Sequence, residues 1–311
     1  MCNKGKIAVL LSTYNGEKYI RCQLESILNQ KLDREFGIIV RDDGSNDNTI
    51  HILESYNDHR IVITRGNNLG ANRSFLELIK MAKGLPSEYE FFSFADQDDQ
   101  WHLDKLQIAI DMLDKEDSSQ PLLYGSASLH VDSDLKPLEK NTKRVVRPLT
   151  LYNTIIQNIV PGHTYVFNRL FLNQIPDDFD PTRIYFYDAF LVNVANMCGK
   201  LVYDPYRHTN YRQHGDNVCG NQRSVIDWIK LRFQRVRNGD SKEYARQIEY
   251  LYELYGTGLG IQEKEEISGF LKNRKSFFSR LRYVLHSKLY RQKKWQTAMF
   301  KCLYLIGGYN T

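Results

Sequence analysis

The sequence lacks the features that would place the chain in a membrane, among repeat proteins or among disordered proteins. No stretch approaches about 18 uninterrupted apolar residues, which argues against a membrane-spanning helix. We find no internal repeat and no low-complexity segment, which excludes a solenoid. Hydrophobic residues make up 42% and charged residues 25%, as in an ordinary globular protein. The 311 residues are therefore expected to fold into about two domains, or into one large α/β domain with an appendage.

Paired cysteines are also missing. The five cysteines are odd in number, are scattered and never form a C-x-x-C pair. We therefore expect reduced thiols, neither a disulfide framework nor a zinc site. The first residues run into an apolar strand without the hydrophobic core of a signal peptide. Both features predict a cytoplasmic protein.

Apolar runs and helical patterns alternate through the first hundred residues, which predicts βαβ units and a parallel sheet. In such sheets the loops at the carboxyl ends of the strands meet along one edge, where ligands bind. The middle third changes character, and beyond residue 224 the periodicity is helical. Strands are predicted at 7–11, 36–40, 61–63, 91–95, 122–131, 164–168, 201–203 and 207–212, and helices at 17–30, 47–57, 187–198 and 244–254.

Two acidic clusters directly follow predicted strands. Asp96 and Asp98 belong to an Asp-Gln-Asp-Asp segment, and Asp42-Asp43 precedes Gly-Ser. Because neighbouring carboxylates repel, the first cluster predicts Mg²⁺ or Mn²⁺ on an Asp-x-Asp pair whose side chains share one face. Its alternative is a solvated turn that caps the next helix. The second cluster fits either a turn with a helix cap or a carboxylate that accepts a hydrogen bond from a base or ribose.

Four segments together resemble the successive motifs of glycosyltransferase family 2. They are Ser-Thr-Tyr-Asn-Gly at 12–16, Asp-Asp-Gly-Ser at 42–45, Asn-Asn-Leu-Gly at 67–70 and Asp-Gln-Asp-Asp-Gln-Trp at 96–101. The last is similar to the bacterial rhamnosyltransferase-like branch, which builds cell-wall and surface polysaccharides. The resemblance implies an α/β GT-A fold, in which helices flank a Rossmann-like, mostly parallel central sheet. We expect a catalytic domain over 1–224 and a helical C-terminal appendage over 225–311.

The resemblance also implies an activity and a set of binding residues. The protein would be an inverting transferase that moves rhamnose from dTDP-rhamnose onto a polyprenyl-diphosphate-linked saccharide, with a UDP-sugar as the alternative donor. Asp98 and Asp96 would hold Mn²⁺ or Mg²⁺, which stabilises the charge on the leaving nucleoside diphosphate. The residues expected to contact the nucleotide-sugar are Thr13, Tyr14, Asn15, Asp43, Asn68, Asp96 and Arg212.

The resemblance places the catalytic base at Asp188, a lone carboxylate among aromatic residues. Desolvation there would raise its pKa, whereas a position at the start of a helix would lower it. Gly162 and His163 are expected to contact the acceptor. Trp101 would either stack on a sugar or pack beneath the next helix. His214, in Tyr-Arg-Gln-His-Gly, would be a further metal ligand.

The formal charge of +5 is unevenly distributed. Residues 225–311 carry 17 basic and 8 acidic side chains, whereas the preceding residues carry 25 and 29. The segment 272–301 has ten Lys or Arg and no Asp or Glu, and its Leu281, Leu285 and Leu289 are predicted to share a helical face. This pattern predicts either a peripheral anchor on anionic lipid at the inner face of the cell membrane or a helix docked on the protein.

Two other classes of protein are compatible with parts of the sequence. A basic tail with interspersed aromatic residues fits a nucleic-acid-binding protein. The acidic clusters at the strand ends would repel nucleic-acid phosphates, so we expect no nucleic acid as a partner. A catalytically silent membrane-associated scaffold is the second alternative. The sequence leaves a homo-oligomer open.

Overall fold

The computed structural model describes residues 5–138, 145–213, 230–231, 234 and 237–310. The chain divides into two compact units. The first comprises Met1–Lys143, Val160–Phe179 and Gly199–Gly220, and the second comprises Arg144–Ile159, Asp180–Cys198 and Asn221–Thr311. The domain boundary expected after residue 224 lies outside the described residues and stays a prediction.

The first unit contains an eight-stranded mixed sheet with the order β3-β2-β1-β4-β7-β6-β8-β5. Four of its seven strand pairings are parallel, and β7 and β5 pair only antiparallel. The strands are β1 (Lys6–Thr13), β2 (Phe36–Asp42), β3 (Ile61–Arg65), β4 (Tyr89–Ala95), β5 (Gln100–Trp101), β6 (Leu122–Val131), β7 (Val166–Asn168) and β8 (Lys200–Arg212).

Helices flank this sheet in the first unit and make up most of the described part of the second. The first unit contains α1 (Ile20–Leu28), α2 (Thr49–Ser55), α3 (Ala71–Lys83), α4 (Lys105–Leu113) and α6 (Arg169–Gln174). The second unit contains α5 (Leu151–Thr154), α7 (Tyr187–Cys198), α8 (Asp240–Tyr255), α9 (Ile261–Lys272), α10 (Phe277–His286) and α11 (Lys294–Leu305). No helix in these ranges is both long enough and apolar enough to cross a membrane.

The core of the first unit lies on both faces of the central strands. All five residues from Ile7 to Leu11 in β1 are fully buried, as expected for a parallel strand covered by helices on each side. Helix α1 buries Ile20, Leu24 and Ile27, which recur at helical spacing, against the same core. A rigid sheet therefore holds the loops that follow β1, β2 and β4.

Strand β8 differs from the sequence prediction because it is one continuous strand where two were expected. The register against β6 shifts between Ser126 and Ala127, which pair with Asp204 and Arg207. Pro205 lies at this irregularity, where its missing N–H cannot interrupt a regular ladder. Strand β8 therefore continues through Pro205, although the sequence pattern predicts a break there.

The expected leucine face of the basic segment is wrong. Helix α10 ends at His286, so Leu289 lies beyond it and is only 3% exposed, whereas Leu285 is 70% exposed. Glu266 explains the helix end because its carboxylate accepts hydrogen bonds from Ser287 Oγ at 2.6 Å and from the backbone N–H of Lys288 at 2.9 Å. This tertiary contact with Glu266 therefore ends the helix at His286.

Candidate functional site

The ends of β1 and β2 are joined by hydrogen bonds around Asp42. Thr13 Oγ1 donates to Asp42 Oδ2 at 2.9 Å, and the backbone N–H of Asp43 donates to the carbonyl of Thr13 at 2.7 Å. Asp42 Oδ1 also accepts from the backbone N–H groups of Gly44 and Ser45, at 3.1 and 2.8 Å. Gly44 has φ +84°, which a residue with a side chain rarely adopts. Asp42 therefore shapes the turn that places Asp43.

Asp43 is buried and bound by donors of the protein itself. Its carboxylate forms an ion pair with Arg41 and accepts from the backbone N–H groups of Leu69 and Gly70, at 2.9 and 2.8 Å. Asn68 is exposed, and its side-chain oxygen accepts from the same Gly70 N–H at 3.0 Å. Asp43 thereby fixes the loop that carries Asn68. The nucleoside contacts expected of Asp43 and Asn68 stay predictions.

The loop after β1 is tied to the acidic loop after β4. The backbone N–H of Tyr14 donates to the side-chain oxygen of Gln97, and the Gln97 amide donates back to the Tyr14 carbonyl, both at 2.8 Å. The Tyr14 side chain is 41% exposed. Asn15 has φ +46°, and its side-chain oxygen accepts from the backbone N–H of Asn46 at 2.8 Å. The expected donor contacts of Thr13, Tyr14 and Asn15 stay predictions, but the first unit does bring these residues to one edge of its sheet.

The acidic loop and a distant histidine form a cluster of potential metal ligands. One ligand atom from each of Asp96, Asp99 and His163 lies within 4.8 Å of the other two. Asp99 is fully buried, and no donor in the described part of the chain reaches its Oδ2 atom. The Asp98 carboxylate is not one of the three groups, and residues 97–98 form a bend that does not continue the strand. We expected the side chains of Asp96 and Asp98 to share one face because an extended backbone would carry both. The backbone at residues 97–98 is bent, so this reason does not apply.

A buried lysine lies in the same charged region. Burial raises the pKa of the Asp99 carboxyl well above its usual value, and the charges of Asp98 and Asp96 raise it further. Lys105 is also fully buried, and burial lowers the pKa of its ammonium well below the usual value, while Asp99 and Asp96 oppose this shift. The Lys105 ammonium lies 3.3 Å from the centre of the Trp101 ring. Burial thus acts on both groups in the direction of their neutral forms.

Trp101 packs in the protein core. It is 3% exposed and belongs to the cluster around Leu106 and Leu113. Its backbone N–H donates to Ser26 Oγ at 3.0 Å. A ring that is covered in this way has no face available to a sugar. Of the two alternatives expected for Trp101, the structure supports packing within the protein and does not support stacking on a sugar.

His163 lies on a short 3₁₀ helix, Gly162–Thr164, and is 4% exposed. Its ring stacks on that of Tyr211, with centroids 4.6 Å apart and an interplanar angle of 7°. Its Nδ1 atom lies 3.8 Å from Asp96 Oδ2. His163 was expected at the acceptor, but the structure places it beside a candidate metal ligand. Gly162 is buried as well, and the acceptor contacts of both residues stay predictions.

Arg212 is held at the end of β8 by the protein. Its guanidinium donates to the carbonyl of Asp98 at 2.8 Å, to the carbonyl of Ser133, and to Cys22 Sγ at 3.6 Å. Its backbone N–H donates to Asp99 Oδ1 at 3.3 Å. These bonds fasten the acidic loop to β8. The contact expected between Arg212 and the nucleotide-sugar stays a prediction.

The remaining predicted residues are Asp188 and His214. Asp188 lies in the second unit, in the first turn of α7, where the helix dipole favours a negative charge. It is half-buried, and its Oδ1 atom accepts from the backbone N–H of Ala189 at 2.7 Å. His214 lies outside the described residues. The roles of both as base and metal ligand stay predictions.

The sequence reasoning missed Asp99 and Lys105, although a signal existed for the lysine. Lys105 precedes Ala109 and Leu113 at intervals of four, the spacing of the buried face of α4. A lysine at a core position of an amphipathic helix indicates a buried charge with a nearby acidic group. No comparable pattern distinguishes Asp99 from Asp98.

Comparison with known proteins assigns the chain to a family. It matches the model of glycosyl transferase family 2 over residues 8–181, which is more than half of its length. The chain therefore belongs to glycosyltransferase family 2, as the motifs predict.

Two curated relatives have assigned substrates in their names. The chain is 29% identical over 252 residues to dTDP-rhamnosyl transferase RfbG of Shigella flexneri, with 76% of this chain and 82% of RfbG covered. It is 26% identical over 304 residues to poly(ribitol-phosphate) beta-N-acetylglucosaminyltransferase TarS of Staphylococcus aureus, with 94% of this chain and 48% of TarS covered. The chain thus spans about half of the length of TarS.

Solved structures confirm the GT-A fold. TarS residues 1–349 match with a TM-score of 0.58 and 17% identity, over 98% of this chain and 81% of the other. The same TarS segment with UDP-GlcNAc matches with a TM-score of 0.56 and 16% identity, covering 98% and 89%. The mannosyltransferase PcManGT of Pyrobaculum calidifontis, solved with GDP-Man and Mn²⁺, matches with a TM-score of 0.53 and 16% identity, covering 98% and 86%.

Proposed function

We propose that the protein is an inverting, metal-dependent glycosyltransferase that moves a rhamnosyl group from dTDP-rhamnose onto a lipid-linked saccharide in bacterial surface polysaccharide synthesis. The observation that carries the metal-dependent part is the convergence of Asp96, Asp99 and His163 within 4.8 Å. It occurs beside the carboxyl ends of parallel strands, where open α/β sheets bind ligands. Similarity to RfbG supports the choice of donor.

The donor set of this cluster suits a hard divalent cation. Mg²⁺ binds oxygen ligands at about 2.1 Å, so ligands on opposite sides of the ion lie about 4 Å apart. Mn²⁺ accepts carboxylate and imidazole together. The buried Oδ2 atom of Asp99 lacks a donor in the described ranges and offers a lone pair to such an ion. Asp98 and His214 complete the proposed ligand set. When bound, the cation would stabilise negative charge on the leaving nucleoside diphosphate.

The proposed reaction requires one base and no covalent enzyme intermediate. The bond between the anomeric carbon and the diphosphate oxygen breaks, and the electron pair leaves with the nucleoside diphosphate. An acceptor oxygen forms the new bond from the opposite face, which inverts the configuration. Asp188 takes the proton of the acceptor hydroxyl. Its half-buried place in the first turn of α7 keeps a single carboxylate oriented by the N–H of Ala189.

A UDP-sugar is the second candidate donor. TarS is similar over 94% of this chain, and its residues 1–349 have been solved with UDP and with UDP-GlcNAc. The base and ribose would be held by the loop after β1, with the exposed ring of Tyr14, and by Asp43. Neither residue discriminates thymine from uracil by its chemistry alone. The choice between dTDP-rhamnose and a UDP-sugar is therefore made by experiment.

Thermal shift with a panel of nucleotide-sugars, with and without Mn²⁺, tests the donor and the metal together. A ligand at 100 times its dissociation constant stabilises the folded state by about 2.7 kcal/mol. We expect dTDP-rhamnose to raise the melting temperature only with Mn²⁺, and Asp96→Asn to remove this shift. Asp177→Asn is the control because that carboxylate is exposed and forms a surface ion pair with Lys83.

A transfer assay with a polyprenyl-diphosphate-linked saccharide tests the proposed base. Asp188→Asn should retain the thermal shift by the donor and lose transfer, because it keeps the shape of the side chain and removes the proton acceptor. Donor binding without Mn²⁺, or an Asp96→Asn protein that still binds the donor with Mn²⁺, would contradict metal dependence. A shift by a UDP-sugar and none by dTDP-rhamnose would replace the proposed donor.

A further inference from the structure

Helix α10 of the second unit exposes large apolar side chains on one face. Phe278 is 80% exposed, Leu285 is 70% exposed and Phe277 is 50% exposed. Leu281 is half-buried and lies one turn from Phe277 and Leu285. The exposed Arg282 borders the same face. Single exposed apolar residues are common, but a grouped set on a ten-residue helix indicates a binding surface.

The opposite face of α10 is held firmly by the second unit. Tyr283 is 8% exposed, its hydroxyl donates to Glu266 Oε1 at 2.7 Å, and its ring lies 4.9 Å from that of Tyr304. Arg280 Nε donates to the carbonyl of Leu305 at 2.8 Å. The helix is therefore fixed in orientation, and its apolar face is directed outward by the packing of its other side.

The segment that contains this face carries charge of one sign. The segment 267–311 contains ten Lys or Arg and no Asp or Glu. Arg274 and Arg291 are buried, so they do not contribute to the surface. The exposed basic residues of the segment are Lys272, Lys275, Arg282, Lys288, Lys293 and Lys294.

We propose that Phe277, Phe278, Leu281 and Leu285, hereafter the α10 face, insert into the interface of an anionic lipid bilayer. Aromatic and leucine side chains enter the boundary between headgroups and acyl chains, while Lys and Arg contact lipid phosphates. A second copy of the chain fits this face less well, because the segment 267–311 of each copy would bring only positive charge to the contact. Charge complementarity therefore selects an anionic membrane as the occupant.

Vesicle sedimentation with the full-length chain tests the proposal. The probes are phosphatidylcholine vesicles and vesicles in which about one-third of the lipid is phosphatidylglycerol. We expect binding that is about tenfold or more tighter on the anionic vesicles at low salt and that weakens as salt rises. Phe278→Ser with Leu285→Ser should reduce this binding about tenfold or more, since two apolar side chains no longer leave water.

The matched control is Val62→Ser, which removes another exposed apolar side chain, 54% exposed, from strand β3 of the first unit. It should leave vesicle binding unchanged. Melting curves verify that all variants fold. Equal binding to neutral and anionic vesicles, or full binding by the Phe278→Ser, Leu285→Ser variant, overturns the proposal. Self-association of the wild type that the same variant abolishes, without vesicle binding, would assign the face to a second copy instead.

The result of the vesicle-binding experiment can be distinguished from the result of the test of the proposed glycosyltransferase activity. The α10 variants should retain the Mn²⁺-dependent thermal shift by the nucleotide-sugar, because the altered residues lie outside the candidate donor and metal residues. Conversely, Asp96→Asn should bind anionic vesicles as the wild type does. Loss of vesicle binding in Asp96→Asn would contradict membrane binding by α10 alone. Failure of donor binding with intact vesicle binding would overturn only the proposed activity.

Discussion

Removal of the Asp43 carboxylate should destabilise the first unit strongly, because it leaves a buried charge without its partner. The side chains of Arg41 and Asp43 are 6% and 3% exposed, and their charged groups are in direct contact. Breaking a buried ion pair by removing one member costs about 3–5 kcal/mol. The N–H groups of Leu69 and Gly70 also lose their acceptor, but these residues are exposed and water can replace it. We therefore expect Asp43→Ala to cost about 3–5 kcal/mol.

The double variant Arg41→Met, Asp43→Ala separates the cost of leaving the Arg41 charge buried and unpaired from the cost of lost packing. Without the guanidinium no buried charge is left unpaired, so the double variant should be less destabilised than the sum of the two single variants by about 2–3 kcal/mol. Arg41 also donates to Ser74 Oγ at 2.9 Å and to the carbonyl of Asn67 at 3.2 Å. These lost bonds prevent full recovery.

Thermal or urea unfolding without nucleotide measures this effect. For a unit of 150–250 residues, 1 kcal/mol corresponds to about 2–4 °C, so Asp43→Ala should lower the melting temperature by about 6–20 °C. Glu54→Ala is the control: Glu54 and Arg65 pair at 2.6 Å on the surface, with side chains 54% and 62% exposed. Such a pair contributes about 0–1 kcal/mol. A similar shift for Asp43→Ala and Glu54→Ala, or strict additivity in the double variant, would refute the reasoning.

Three further predictions concern local features. Gly125→Ala should cost about 1–3 kcal/mol in unfolding experiments, because its Cβ would lie 2.3 Å from a methyl group of Val160. Ser276→Ala should lower the melting temperature through the loss of about 1 kcal/mol from the capping box of α10. Arg60 lowers the pKa of Asp58 from 3.8 to about 2, so the stability from this pair should be present above pH 4 and disappear as the pH falls through 2. Asp58→Asn should abolish that pH-dependent component in acid titrations.

The elements with strong periodicity were predicted well from the sequence. The bounds expected for β6 and α7, 122–131 and 187–198, are those observed. The two-residue strand β5 was not predicted, because its pairing with β8 depends on contacts distant in the chain. Thr164, expected to begin a strand at 164–168, belongs instead to the 3₁₀ helix Gly162–Thr164 that precedes β7. Hydrophobic periodicity indicates which residues within one segment are buried. Strand β5 and the 3₁₀ helix depend instead on contacts with segments distant in the chain.

The candidate metal cluster shows the same limit at the level of single residues. The sequence located the acidic loop at the end of β4, because an apolar strand followed by several aspartates is visible in one segment. It could not select Asp99, since a run of aspartates does not indicate which carboxylate the fold buries beside a histidine. It also could not bring His163 to Asp96, because 66 residues separate them in the chain. The 3₁₀ helix and the stacking on Tyr211 fix that approach.

Glu266 accounts for both the end of α10 and the sign of the charge around it. It is the last acidic residue before the segment 267–311, and it is 8% exposed. Its carboxylate is bound by Tyr283, Ser287 and Lys288, so its negative charge is directed into the second unit. The contact that ends the helix before Leu289 therefore also keeps the Glu266 carboxylate buried within the second unit. The α10 face is consequently more aromatic than the leucine pattern predicts, and the segment 267–311 that contains it carries the positive charge that an anionic surface attracts.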